Sequence, residues 1–204
     1  MSRRGSAQGI AVIPQSHGGS LMWDEILRDY DESHAYNEDQ QISWFRRQPS
    51  LRVAIETAAR ATDDREKRYD HQYRIRRIAI TQATAALLAS ERALATVTSF
   101  DDLLSLVFAQ VHQIDGIGEL YCYDTALRIG AYLGQFPTRV HLHRGTRAGA
   151  MALGLDYHQY ALEMADFPPE LRGRQPIHVE NILCIYRDRF GASMKTRTRR
   201  RSRC

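Results

Sequence analysis

Val111-His112-Gln113-Ile114-Asp115-Gly116-Ile117-Gly118 is the stretch on which the reading of this chain turns. Its pattern is apolar, two variable positions, apolar, one variable position, then Gly-Ile-Gly. Glycine has no Cβ, so Gly116 and Gly118 admit backbone conformations closed to other residues and let an anion approach main-chain N–H groups. Cys122, Ala126, Ile129 and Leu133 then recur at spacings of four, three and four, which puts them on one face of a helix that starts directly after Gly118. That helix aims its unpaired N-terminal N–H groups at the same place. The stretch reads as a helix-hairpin-helix turn with an anion-binding tip. The alternative reading is a tight helix-to-helix turn without a ligand. Cys122 falls on the packed face, as a small core residue rather than a nucleophile.

Helical periodicity extends to both sides of the hairpin. Leu51, Ala54, Ile55, Ala58 and Ala59 share one face of a helix over Leu51 to Ala61. A longer helix is predicted from roughly Glu66 to Ala89, with Arg74, Arg76 and Arg77 as a solvated flank. Ser99, with Asp102 three residues on, marks the start of the helix that leads into Val111. Further helices fit Leu120 to Leu133, Thr146 to Leu153 and His178 to Phe190, with a loop at Phe167, Pro168 and Pro169. Alternating strand patterns are scarce. The prediction is an all-α fold: one helical domain over residues 21–194 containing the helix-hairpin-helix motif. Tails at 1–20 and 195–204 lack apolar periodicity, and their composition predicts disorder.

Charge is divided unevenly along the 204 residues. The formal net charge is +4, but KTRTRRRSRC at 195–204 holds six bases and no acid. Removing those six and Arg3 and Arg4 from the 28 bases leaves 20 against 24 acids, a body of formal charge −4. Long-range attraction depends on where charges sit, so the basic balance does not argue that the folded body binds nucleic acid. Such binding has to come from a local site. Between Trp23 and Gln40, seven acids stand against one arginine, a segment that would repel phosphates and reads as a solvated helix face. Three cysteines, Cys122, Cys184 and Cys204, make neither a disulfide framework nor a zinc pattern, which suits a reducing cytoplasm. The apolar run Ile10 to Ile13 is too short for a signal or membrane span. No metal, cofactor or membrane is expected.

The order IDGIGELYCYDTALRIGAYLG followed by FPTRVHLHRGTRAGAMALGLD resembles the helix-hairpin-helix DNA glycosylase superfamily, which includes endonuclease III. The likeness spans Ile75 to Tyr186 and is sharpest from Val111 to Leu155. It implies DNA as partner, a DNA-repair setting, and contacts from Gly116, Ile117, Gly118, Arg144, Thr146 and Arg147, to which the tail adds Arg199, Arg200 and Arg201. The family's catalytic aspartate falls at His143, and the lysine of its bifunctional members at Leu120. Neither residue supplies the family's chemistry, and no four-cysteine iron–sulfur pattern follows. A DNA binder of helix-hairpin-helix type without glycosylase catalysis is the leading expectation. The first alternative is a base-excision enzyme using Asp124 with His141 or His143, an acid and a base that could share a cleft; the stronger reading of Asp124 is a favourable charge near a helix N-terminus with no catalytic role. The second alternative is a protein-interaction module whose basic tail alone touches nucleic acid.

Overall fold

The computed structural model describes residues 18–190, and these are mostly helical. Helix α1 spans Gly18–Tyr30 and passes through one π-helical turn, Asp31–Ala35, into α2, Tyr36–Arg46. Helix α3, Leu51–Arg60, starts where the Ser50 hydroxyl accepts the N–H of Val53, satisfying one of the free donors of a helix start. Then come α4, Arg77–Ala89, the single turn α5, Glu91–Leu94, and α6, Phe100–Val111. Ser99 caps α6 as expected: its hydroxyl accepts the Asp102 N–H and donates to the Asp102 carboxylate at 2.7 Å. Helix α7 is Glu119–Leu133. Strand β1, Val140–His141, precedes α8, Arg144–Leu153, and pairs antiparallel with β2, Ala161–Leu162. The short α9, Pro169–Arg172, and α10, Pro176–Ile185, follow.

The predicted helix over Glu66 to Ala89 is corrected: only its second half, α4, is helical. Ala61 and Glu66 take positive φ, 56° and 59°, and the Asp63 carboxylate accepts the N–H groups of Arg65 and Lys67 at 2.9 and 2.8 Å. A side chain that bonds nearby backbone offers an alternative to the helical ladder. Thr62 bridges Arg68, and one 3-10 turn covers Asp70–Gln72. The last predicted helix is shifted and interrupted: it begins at Pro176, whose fixed φ suits a first helical turn, ends at Ile185, and after a bend at Tyr186 one more helical turn covers residues 187–190. Helix α1 begins inside the stretch expected as tail, and the basic tail lies outside the described residues.

Apolar side chains bury in two clusters. One gathers Phe45, Ile55, Leu87, Leu103, Val107 and Ile129 from α2, α3, α4, α6 and α7. The other joins Trp23, Ile26 and Tyr30 of α1 to Val140, Phe167, Val179 and Leu183. The described residues thus begin with α1 against the C-terminal half, run through the first cluster, and return. Helix α7 packs against α2, α3 and α6, and from Tyr121 to Ala131 only Asp124 escapes full burial. On the other side α8 lies directly on α10. A Cβ on Gly149 would collide with the Leu183 carbonyl, so glycine sets that helix separation.

Candidate functional site

A tight turn joins α6 to α7 at the stretch in which the sequence predicts a hairpin. Val111 ends α6 fully buried, the Ile114 N–H donates to its carbonyl at 3.0 Å, and the Ile117 N–H donates to Ile114 at 2.9 Å. Gly116 has φ +91°, a conformation that any other residue adopts only with strain. Ile117 is buried and pins the turn to the first cluster. Gly118 occupies the N-cap of α7, where no side chain caps the helix. A Cβ at either glycine would meet nothing within 4 Å, so this turn is open to the outside.

Cations stand on both flanks. Arg76, just before α4, is hydrogen-bonded to Asp115, and Arg147 of α8 holds Glu119 at 2.8 Å. Arg74, Arg77 and Arg144 are exposed nearby in sequence. The sequence shows Arg76 only as a helix flank, because its apolar pattern predicts helix through the loop that brings Arg76 to Asp115. Thr146, expected to touch nucleic acid, is instead fully buried. Its hydroxyl accepts the His143 N–H at 2.8 Å and lies 3.0 Å from the His143 carbonyl, so it shapes the start of α8. Arg199, Arg200 and Arg201 lie outside the described residues. The acidic segment turns away from the hairpin toward the C-terminal half. Asp31 pairs with Arg174 at 2.6 Å, Glu25 with Arg189 at 3.3 Å, and Asp29 accepts the Tyr186 hydroxyl at 2.8 Å.

Behind the hairpin, buried polar groups collect between the two apolar clusters. Asp124 meets neither His141 nor His143 in a hydrogen bond. Its Oδ2 lies 2.7 Å from His71 Nε2 and accepts the Gln72 amide at 2.7 Å, with the Arg128 guanidinium at 3.7 Å. Arg128, only 2% exposed, also donates to Gln72 at 3.0 Å and to Gln41 at 3.2 Å and lies 4.1 Å over the Tyr69 ring. His143 is hydrogen-bonded to Glu180 of α10. Burial would lower the His143 pKa, but the Glu180 bond and charge hold it above its ordinary value, while burial raises that of Glu180. A carboxylate thus stands beside position 143 after all, supplied from 37 residues away, and both partners are almost wholly enclosed.

His141 is also buried. Its Nε2 lies 3.0 Å from Asp101 without hydrogen-bond alignment, its Nδ1 has no partner among the described residues, and burial lowers its pKa. Together with Tyr123, whose hydroxyl is buried and unpartnered, it lines a cavity of about 230 Å³ next to Glu119 and His143. Burial pushes the Cys122 thiol up to about 12, consistent with a core residue. Among the described residues no cluster of three or more His, Cys, Asp or Glu is arranged for a metal, and no helix is long and apolar enough to cross a membrane. No protein-family model, curated protein or solved structure matches the chain.

Proposed function

We propose that the chain binds DNA through the hairpin at Gly116, Ile117 and Gly118, without base-excision chemistry at Leu120 and His143. The observation that carries this reading is the open Gly-Ile-Gly turn at an uncapped helix start, flanked by Arg76 and Arg147. Backbone N–H groups at such a turn hold a phosphate, and flanking guanidinium groups hold its neighbours along the strand. The absence of an amine at Leu120 removes Schiff-base chemistry, and His143 is engaged by Glu180 rather than free to act on a sugar. Acids of the Asp24 to Asp39 segment that pair with Arg174 and Arg189 leave the hairpin uncovered, which favours nucleic acid over a protein partner at this face.

Fluorescence anisotropy with duplex, single-stranded and abasic DNA tests the reading. Binding to at least one of the three, weakening steeply as salt rises, is the expected result. No binding to any of them at low salt would remove it.

A further inference from the structure

The cavity of about 230 Å³ is lined by two side chains whose polar atoms the protein leaves unsatisfied. Tyr123 and His141 are each 3% exposed, yet the Tyr123 hydroxyl and His141 Nδ1 have no hydrogen-bond partner among the described residues. A buried polar group without a partner costs free energy, which a ligand recovers by bonding to it. Flat rings surround the same space. The Tyr123 ring lies 5.9 Å from those of both His141 and His143, tilted by 43° and 44°, and Tyr160 stands edge-on to His141 at 5.3 Å. Leu104, Phe108 and Leu142 make the rest of the wall apolar. Tyr160 and Glu119 line the cavity too and are exposed, which gives a ligand a way in beside the start of α7.

Size and charge narrow the occupant. A cavity of roughly 150 Å³ accepts benzene, whereas drug-sized and nucleotide-sized ligands take roughly 300–1,000 Å³. About 230 Å³ therefore suits a single ring with a small substituent. The two ionised neighbours are already matched, Glu119 by Arg147 at 2.8 Å and His143 by Glu180. A charged ligand would find no counter-charge left, and burying an unpaired charge is costly. Burial lowers the pKa of His141 and raises that of Tyr123, so both face the cavity neutral. Asp101 lies 3.0 Å from His141 Nε2, and a carboxylate there favours the proton on Nε2, which leaves a lone pair on Nδ1. The Tyr123 hydroxyl has a proton to donate.

We propose that this cavity binds a small neutral aromatic molecule of the phenol class, with its ring among Tyr123, His141 and His143 and its hydroxyl bonded to the two unsatisfied atoms. A phenol serves both with one group: its proton is donated to His141 Nδ1 and its oxygen accepts the Tyr123 hydroxyl. Benzene would fill the space and leave both atoms unpaired. An alcohol without a flat ring would lose the aromatic contacts. Water satisfies the two atoms but leaves the rings against solvent. The site does not depend on the hairpin, so a chain that fails to bind DNA keeps it.

The experiment titrates the full chain, with isotope-labelled histidine, against phenol, benzene and cyclohexanol and follows the imidazole signals by NMR. Phenol should bind with a dissociation constant on the order of 10⁻⁴ M and move the His141 and His143 signals. Benzene and cyclohexanol should each bind about tenfold more weakly. Tyr123→Phe keeps the ring and breaks no hydrogen bond among the described residues, so its melting temperature should not fall. Its affinity for phenol should drop about tenfold while that for benzene is kept. His141→Phe, which keeps a flat ring without Nδ1, should show the same selective loss. Unmoved His141 and His143 signals at about 5 mM phenol, well above the expected constant, overturn the site. Equal affinity of the wild type for phenol and benzene, or phenol affinity kept in folded Tyr123→Phe, overturns it as well.

Discussion

His71 and Asp124 lie 53 positions apart in the chain, yet His71 Nε2 meets Asp124 Oδ2 at 2.7 Å, joining the loop before α4 to the most buried helix of the fold. Arg128 is the foundation of that contact. It faces Asp124, Gln72, Gln41 and the Tyr69 ring with 2% of its side chain exposed.

Replacing Arg128 with Met should therefore cost about 3–5 kcal/mol, because Asp124 loses its buried counter-charge and two amides lose a donor. Arg128→Lys should cost less, since it keeps the charge but not the forked donors. Urea unfolding measures both. A midpoint unchanged in Arg128→Met would show that the network contributes nothing to stability.

Glu38 should make stability fall with rising pH. Its carboxyl titrates at about 7 in the folded chain against an ordinary 4.5, so between these values the folded state holds a proton that the unfolded state has released. The stabilisation is complete below the ordinary value and lost as pH climbs to the folded one. Glu38→Gln, which resembles the protonated form, should match the wild type near pH 4 and melt higher than it at about pH 8. Identical melting temperatures at both would place Glu38 in an ordinary solvated setting.

Standard glycosylase and lyase turnover should be absent on uracil, 8-oxoguanine and abasic duplexes. Leu120 has no amine, and His143 is tied to Glu180. Borohydride trapping of a covalent DNA adduct, or base release abolished by Asp124→Asn, would show the opposite.

The helices that decide this reading were legible because their apolar residues repeat at helical spacing and their ends carry plain signals, Ser99 before α6 and Gly-Ile-Gly before α7. Cys122 was read correctly as core, at 0% exposed. The loop before α4 was not legible: its breaks come from the Asp63 carboxylate capturing backbone N–H groups and from positive φ at Ala61 and Glu66, and an apolar pattern does not register either. That error hid Arg76 and His71. Glu180 was invisible for a different reason, since its pairing with His143 arises only when α8 packs on α10 through Gly149. Thr146 reads from sequence as the first residue of a helix and a nucleic-acid contact, and nothing in the pattern shows that its hydroxyl is enclosed by bonds to His141 and His143.

Deleting residues 195–204 removes six of the 28 bases and no acid, which takes the formal net charge from +4 to −2. Affinity should drop for all DNA sequences alike, and the log–log salt slope should become shallower by up to about 0.9 per lost duplex phosphate contact. Preference between two DNA structures should survive, because tail side chains read backbone charge while the fold holds the hairpin. A salt series on both proteins with both structures measures this. An unchanged slope would take the tail out of the interface, and a lost preference would take the reading role from the hairpin.

The most direct measurement is the DNA affinity of Gly118→Val beside Gly116→Val. A side chain at Gly118 meets nothing within 4 Å, and its φ of −114° is ordinary, so that variant should fold and melt as the wild type does. Gly116→Val also strains the turn at φ +91° and should lose about 1 kcal/mol or more of stability. Both side chains project where a phosphate would approach, so Gly118→Val should lose most of its DNA affinity while keeping its melting temperature. Full affinity in folded Gly118→Val would contradict the hairpin as the binding element.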